Sequence, residues 1–377
     1  MTAAPTPPAR RSRATPARPR PTTGRRPAPA AAGAVDLALQ GGGSHGAFTW
    51  GVLDTLLADG RLRLDGLSGT SAGAMNAAVL ASGWANGGAE GARRALAGFW
   101  AAVGGSPGCL GGGTALAGPA PGVAWPAWMF NRDLWPGYAA WEAWWRLFSP
   151  AQLNPWHLDP LRDIVREHVD VSALRRGPLK VFVTATSVRT GQPRVFSGND
   201  LSVEALMASA CLPQTAQTVV IDGEPYWDGG FSGNPALWPL IYGTRTDDVL
   251  LVQINPRQHD GIPQTAAEIA DRVNEITFNA SLVAELRAIA FVQTLVQQQR
   301  VDTQRYRSLR LHRIADEPGL APFDASSKLN NDPRLLQTLF ELGRTAAQGW
   351  LARHADDVGR RSTLDVDEVY LAPRRPG

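Results

Sequence analysis

Two glycine-rich turns, each lying between an apolar strand and a helix, come close together near the start of the predicted ordered chain. When strands alternate with helices in this way, each helix carries the chain back so that the next strand runs parallel to the last. The sequence therefore predicts the start of a parallel α/β sheet. The elements in order are a strand at residues 35–40 (VDLALQ), a glycine turn at 41–43, a helix at 46–58, a strand at 62–67, a sharp turn at 69–73 and an Ala-rich helix ending near residue 82.

The α/β pattern resumes after residue 157. Together with the first elements it predicts a three-layer α/β/α sandwich with a mostly parallel central sheet. The later elements are a helix at 159–169, a strand at 179–186 with a partner at 194–197, a helix at 203–211, two short strands at 218–221 and 226–227 around an Asp-Gly turn, a strand at 248–254, one or two helices in 262–300, a strand at 308–314 and a helix at 333–353.

The region between these two halves has a different composition. Residues 84–157 hold nine of the thirteen tryptophans and several Gly and Pro interruptions, which favours an insertion lying over the sheet. Because tryptophan suits membrane interfaces, residues 120–157 form either a lipid-contacting lid or a covering whose Trp side chains fill the core. The predicted organisation is a disordered basic tail at 1–33, a catalytic domain at 34–355 with this insertion, and an extension at 356–377.

The net charge of +3 comes from the first segment of the chain. Residues 1–33 carry seven Arg and no acid, and the remainder has 30 basic and 34 acidic residues, so the composition gives no reason to expect nucleic-acid binding. The two cysteines fit a reducing compartment and have no zinc-ligand spacing. With no apolar run of 18 residues and no secretory signal, we expect a cytoplasmic protein, with peripheral membrane contact left open.

The first turn is a candidate anion-binding loop. Glycines let successive backbone N–H groups point into one small space, and a helix follows directly. An ordinary tight turn would look the same, and the Walker lysine of a phosphate-binding loop is absent. We call residues 41–46 the glycine loop; its members are Gly41, Gly42, Gly43, Ser44, His45 and Gly46.

The second turn, residues 69–73 (GTSAG), has the G-x-S-x-G pattern of a nucleophile elbow. Gly69 and Gly73 leave room for a tight strand-to-helix turn that exposes the hydroxyl of Ser71 at a helix N-terminus. The pattern is common by chance, but its position between an apolar strand and an Ala-rich helix favours catalysis over a structural turn.

A third motif, Asp228-Gly229-Gly230, ends a short predicted strand. Because the two glycines have no side chains, little bulk surrounds the carboxylate of Asp228. A surface Asp-Gly turn is the common alternative, and Asp222-Gly223 is expected to be one of those, lying in a hairpin. With the other two motifs, however, Asp228 completes an acyl-transfer site of oxyanion donors, nucleophile and base.

Taken in this order, the three motifs resemble those of the patatin-like phospholipases, and the resemblance covers roughly residues 35–350. Three further segments are similar to bacterial members of that family: residues 209–213 (SACLP), Asn234-Pro235 and residues 327–330 (SKLN). The resemblance identifies the chain as a member of this family and implies the patatin-like α/β/α fold.

The resemblance also implies a serine esterase that hydrolyses lipid carboxylic esters through a Ser–Asp dyad. Ser71 would attack the ester carbonyl, Asp228 would accept its proton, and the N–H groups of Gly42, Gly43 and Ser44 would hold the oxyanion. No metal or cofactor is implied. One departure is His45, which stands where the family usually has Arg or Lys, so either a loop variant or a packing histidine is expected there.

Three other functions remain as alternatives. An α/β-hydrolase would complete a triad with His259, His312 or His354, but only about 35 ordered residues precede Ser71, too few for the strands that fold needs first. An acyl-carrier transacylase would need a His and an Arg that the sequence does not assign. A catalytically silent lipid-binding protein would not need all three motifs. The particular lipid and the oligomeric state stay open.

Overall fold

A mixed sheet with five parallel strands forms the centre of the protein. The computed structural model describes residues 33–106, 110, 152, 154, 158–258, 261–302 and 306–372. The sheet has eight strands in the order β5-β6-β3-β2-β1-β7-β8, with β4 paired to β3. Five neighbouring strands pair in parallel, in the order β3, β2, β1, β7 and β8. The pairs that involve β4, β5 or β6 are antiparallel. The strands are β1 (Ala34–Leu39), β2 (Arg63–Thr70), β3 (Lys180–Ser187), β4 (Pro193–Ser197), β5 (Val219–Ile221), β6 (Glu224–Asp228), β7 (Asp248–Val252) and β8 (Arg310–Ile314).

Helices connect these strands and cover both faces of the sheet. This confirms the predicted three-layer α/β/α sandwich with a mostly parallel sheet. The α-helices of the described residues are α1 (Gly46–Asp59), α2 (Ala72–Gly105), α3 (Pro160–His168), α4 (Val171–Arg176), α5 (Val203–Ser209), α6 (Trp238–Gly243), α7 (Ala266–Gln297), α8 (Glu317–Leu320) and α9 (Pro333–His354). Short 3-10 turns include Gly43–His45, Gly229–Phe231 and Ala325–Leu329.

Alternate residues of each strand feed two separate cores, because successive side chains of a strand point to opposite faces. In β1, Leu37 and Leu39 join the larger core beneath α1, α2 and α9, whereas Ala38 joins the smaller one beneath α6 and α7. Each of these β1 side chains is fully buried. The sheet is therefore covered on both faces, as its near-continuous apolar strands predict.

The pairing of β3 brings two strand ends together. β3 pairs with β2 as far as Thr184, and from Ala185 onward it pairs with β6. β4 pairs with the other edge of β3 along this stretch. β6 therefore lies on the same edge of β3 as β2 and follows directly after the end of β2. The last residue of β6, Asp228, thus lies beside the turn that follows Thr70 at the end of β2.

The Ala-rich helix after the second turn ends at a pair of glycines, a few residues beyond the end near residue 82 that the sequence predicted. α2 consists of two helices that meet at Gly87 and Gly88, where the backbone is not helical. The chain folds back there, because Trp100 Nε1 donates to Asn76 Oδ1 at 3.0 Å, a contact that a continuous helix would not allow across 24 residues. The second helix of the pair, up to Gly105, belongs to the predicted insertion. Most of residues 107–157, including nearly all of the alternative lid at 120–157, lies outside the described residues.

Residues 356–372 of the predicted C-terminal extension pack against the α7 side of the sheet. Leu364 and Val366 are buried in the smaller core, and the Tyr370 hydroxyl donates to Gln253 Oε1 at 2.5 Å. The described part of the extension therefore contributes to the fold. The predicted tail at 1–33 lies almost entirely outside the described residues.

Helix α7 carries apolar side chains on its outer face as well as its inner one. Leu282 and Leu286 are buried against the sheet, while Ile269, Val273 and Ile276 are 50%, 57% and 54% exposed. Within the described ranges, one segment, Glu268–Gln297, is long and apolar enough to cross a membrane by length and composition alone. That is weak evidence for a membrane span, since a helix packed on a sheet can pass the same test.

Candidate active site

Ser71 occupies the sharp turn between β2 and α2. Its φ of 54° and ψ of −124° fall in a left-handed region that side chains other than glycine rarely adopt. Such strain persists only where the surrounding structure enforces it, and it is typical of a nucleophile elbow. The turn puts Ser71 at the N-cap of α2, where the helix dipole favours negative charge.

Close backbone contacts explain the glycines on both sides of this serine. A Cβ on Gly41 would lie 2.6 Å from the Thr70 carbonyl oxygen and 2.7 Å from Ser71 Cβ. Gly69 and Gly73 pack just as tightly, the first against the second and the second against the end of β1. The structure therefore brings the glycine loop and the elbow together, as the sequence predicted.

Asp228 is fully buried and firmly held. Its Oδ1 accepts the Gly230 N–H at 2.7 Å, and its backbone N–H donates to the Cys211 carbonyl at 2.7 Å. The Thr186 hydroxyl donates to the Asp228 carbonyl oxygen at 2.8 Å. A side chain on Gly229 would collide with the carbonyl of Thr184, which accounts for the glycine that follows the aspartate.

Burial raises the pKa of Asp228 to about 7, although the Gly230 N–H and the Ser71 hydroxyl both act to lower it. Asp228 Oδ2 is buried with no hydrogen-bond partner, so the influence of Ser71 does not reach the geometry of an ordinary hydrogen bond. Catalytic hydrogen bonds are often long before substrate binds. A carboxylate with a free oxygen beside a serine is suited to accept a proton.

The glycine loop is clamped by two asparagines. Gly41 donates its N–H to Asn234 Oδ1 at 2.7 Å, and its carbonyl accepts from Asn255 Nδ2 at 2.7 Å. In the part of the chain that the structure describes, the N–H groups of Gly42, Gly43 and Ser44 donate to no other residue. Of these three residues, Gly43 lines the cavity that also holds Ser71.

His45 does not point into the site as a charged group. Its Nε2 lies 2.7 Å from Ser327 Oγ, and burial lowers its pKa to about 3, with a smaller contribution from Lys328. The Ser327 hydroxyl donates to the Asp324 carbonyl, so the proton shared with His45 belongs to Nε2. Gly46 begins α1, with a side chain excluded by Ala72 and Trp100.

A cavity of about 740 Å³ opens beside Ser71. The apolar side chains of Met75, Phe99, Trp100 and Val103 from α2 form one wall, and residues of α3 and α5 form others. Charged side chains, Arg162, Arg166 and Glu204 among them, also line it. A cleft of this size that combines apolar and polar side chains is typical of a small-molecule site.

Two of the three candidate triad histidines are engaged elsewhere. His312 lies in β8, with Nε2 3.1 Å from Asp248 Oδ1 and Nδ1 3.0 Å from Thr363 Oγ1. Three strand spacings separate β8 from β2, roughly 14 Å. His354 contacts Asp357 at the end of α9, and His259 lies outside the described residues. The described residues hold no group of three or more His, Cys, Asp or Glu side chains placed to bind a metal ion.

Ser209 is a functional residue that motif reasoning found only as part of the SACLP segment. Its Oγ accepts the backbone N–H of Ser71 at 2.9 Å and donates to the Thr184 carbonyl at 2.6 Å. Ser209 thus joins the elbow to β3. Asn255 and Thr186 were not predicted, because an isolated polar residue after or within an apolar strand has no distinguishing pattern.

These observations define a mixed α/β protein with a serine on a nucleophile elbow at the carboxyl edge of its sheet. A family model described as patatin-like phospholipase matches residues 37–241, more than half of the chain, so the chain belongs to the patatin-like phospholipase family. The resemblance read from the motifs is confirmed, and membership implies lipid acyl hydrolase activity.

Comparison with solved structures finds similarity to VipD from Legionella pneumophila. The two chains are 13% identical, the similarity covers 90% of this chain and 73% of that chain, and the TM-score is 0.37. No curated protein matches the chain.

Proposed function

We propose that this protein is a serine esterase that hydrolyses lipid carboxylic esters, phospholipid or lysophospholipid among them, through a Ser71–Asp228 dyad. The observation that carries the proposal is the pairing of a strained serine at a helix N-terminus with a buried carboxylate whose pKa is raised to about 7. A carboxylate of that pKa is a far better base at neutral pH than an ordinary aspartate, and it needs no histidine between itself and the serine.

In the proposed acylation step, Ser71 Oγ attacks the ester carbonyl while Asp228 takes the hydroxyl proton. The carbonyl oxygen becomes an oxyanion, which the N–H groups of Gly42, Gly43 and Ser44 stabilise. When the intermediate collapses, the C–O bond to the leaving alcohol breaks and Asp228 returns the proton to that oxygen. Water then attacks the acyl-serine, with Asp228 again as base, and the acid leaves as Ser71 regains its proton.

The proposed substrate class rests on the cavity beside Ser71. Its α2 wall presents apolar side chains, among them Met75, Phe99 and Val103, which would bury an acyl chain and gain about 25 cal/mol for each Å² of apolar surface removed from water. A cytoplasmic location with peripheral membrane contact completes the proposal, since the esters of long acyl chains reside in membranes.

Fluorophosphonate labelling, read as intact mass, tests the dyad. Wild type should gain one label, Ser71→Ala should gain none, and Asp228→Asn should react at least about 100-fold more slowly because it lacks the base. Hydrolysis of a panel of lipid esters by the wild type then identifies the substrate. A folded wild type that never reacts would instead favour the silent lipid-binding protein.

A further inference from the structure

The glycine loop rests on a turn that lies far downstream in the chain and outside the residues that the family model matches. Gly43, at φ 56°, approaches the carbonyl oxygen of Lys328 so closely that any side chain would collide with it. Ser44 Oγ donates to the Asn330 carbonyl at 2.5 Å. The turn Ala325–Leu329 therefore sets the position of the loop's backbone.

Lysine is rare in this chain, and Lys328 is one of the few. Of 37 lysines and arginines, only two are lysines. Lys180, at the start of β3, is exposed, but Lys328 is 8% exposed and lines the cavity that holds Ser71. An ammonium group is a compact charge that is costly to bury without a role or a partner.

A continuous set of hydrogen bonds links this ammonium group to the glycine loop. Lys328 Nζ donates to Asn255 Oδ1 at 2.9 Å. The same amide uses Nδ2 to hold the Gly41 carbonyl at 2.7 Å. Because Oδ1 accepts from the lysine, the Asn255 amide is fixed in the orientation that presents Nδ2 to Gly41. Lys328 is therefore connected to Gly41, the first residue of the loop, through the side chain of Asn255.

Acidic groups surround this ammonium group. Burial lowers the pKa of Lys328, and the carboxylates of Glu275, Asp271 and Asp324 offset only part of that shift. His45, the basic side chain of the loop itself, is neutral because burial lowers its pKa to about 3. Beside the loop, Lys328 is therefore the basic side chain whose neighbouring carboxylates support a positive charge.

We infer that Lys328 is a positioning residue for the oxyanion site, which fixes the glycine loop through Asn255 and adds positive potential where negative charge develops. The inference rests on the proposed function, since it assigns Lys328 a part in the same reaction. It predicts that Lys328 affects the charged transition state far more than it affects the binding of neutral substrate.

Lys328→Met tests the inference, because methionine keeps a long side chain and removes the charge and the donor. We expect kcat on a short-chain ester to fall about 100-fold, comparable to losing one oxyanion donor, with KM within about twofold of wild type. A boronic acid, which forms an anionic tetrahedral adduct on serine, should bind about 100-fold more weakly, whereas a neutral ether analogue of the substrate should bind equally well. Lys180→Met is the matched control and should match wild type in every assay.

The outcomes separate this inference from the proposed function. If wild type neither hydrolyses esters nor labels, the proposed function itself is wrong. If wild type is active and folded Lys328→Met keeps its kcat and its boronate affinity, only the role of Lys328 is overturned; equal weakening of boronate and ether binding also overturns it. Should Lys328→Met fail to fold, Asn255→Asp keeps the size of the linking side chain and removes its donor to Gly41. An unchanged kcat in that variant would contradict the inference.

Discussion

At the scale of single residues, the account depends on one buried carboxylate. Burial keeps Asp228 protonated to a pH where other aspartates have long ionised, and it also makes the ionised form a stronger base. The group is therefore matched to work near neutral pH, because the best general base has a pKa close to the operating pH.

The pH dependence of labelling follows from this pKa. Asp228 must be ionised to accept the Ser71 proton, and its pKa is about 7. The rate of fluorophosphonate labelling should reach a plateau above about pH 8 and fall roughly tenfold per pH unit below about 6. Stopped-time labelling from pH 5 to 9 measures it. A rate that stays flat between pH 5 and 8 would count against Asp228 as the base.

The burial of Asp228 that makes it a better base also lowers the stability of the folded state at neutral pH. The folded pKa of about 7 lies above the unfolded value of 3.8, so the folded state loses stability as pH rises from about 4 to about 7. Asp228→Asn removes this titration and should be more stable relative to wild type at pH 8 than at pH 5, by on the order of 2 kcal/mol. Urea unfolding at both pH values measures the difference. Asp222→Asn, in the exposed hairpin turn, is the matched control.

At the scale of elements, the elbow is held by the helix behind it as well as by its own glycines. A serine precedes helix α5 as its N-cap, and another is the last residue of the helix. Ser202 caps its N-terminus by accepting the Ala205 N–H, while Ser209 at its C-terminus bonds the Ser71 N–H and the Thr184 carbonyl. Ser202 is half-buried and Ser209 is fully buried, and only Ser209 bonds to the catalytic turn.

Replacing these serines separates stability from catalysis. Ser209→Ala should cost about 1–3 kcal/mol of stability and slow labelling about tenfold, because the Ser71 N–H loses its buried acceptor and the turn loosens. Ser202→Ala should cost about 1 kcal/mol as a lost helix cap and leave labelling unchanged. Thermal unfolding and labelling rates measure both. Equal labelling rates in the two variants would show that Ser209 does not hold the elbow.

The sequence predicted those elements whose local pattern is strong. The strand–turn–helix units around the glycine loop and Ser71, and the hairpin at Asp222-Gly223 with both residues at positive φ, were found because glycine spacing and apolar runs specify them. The end of the Ala-rich helix was predicted to within a few residues, but the second helix of α2, which follows Gly87 and Gly88 and packs back on the first, was not predicted. The clamp formed by Asn255 could not be predicted, because its contacts with Gly41 and Lys328 join residues separated by more than 70 positions.

At the scale of the whole molecule, the outer face of α7 is the described surface best suited to lipid. Ile269, Val273 and Ile276 are spaced four and three residues apart, so they form one stripe, and all are at least half exposed. The stripe lies on the helix whose composition is apolar enough for a bilayer. Peripheral contact with a membrane remains a prediction that this surface makes testable.

Replacing all three stripe residues with serine should weaken sedimentation with phospholipid vesicles by at least about tenfold, because roughly 1–2 kcal/mol of apolar burial is lost at each position. Hydrolysis of a short water-soluble ester serves as the control and should be unchanged, since the stripe does not line the cavity beside Ser71. Vesicle binding equal to that of wild type would exclude this face as the membrane contact.

The central claim is that the carboxylate of Asp228 acts on Ser71 without a histidine. The most direct measurement is the fluorophosphonate labelling rate of a variant with His259→Ala, His312→Asn and His354→Ala, with its fold checked by thermal unfolding. We expect a rate within about twofold of wild type, because His312 and His354 are held at Asp248 and Asp357, away from the elbow. Loss of labelling in a folded variant would contradict the dyad and favour a Ser–His–Asp triad.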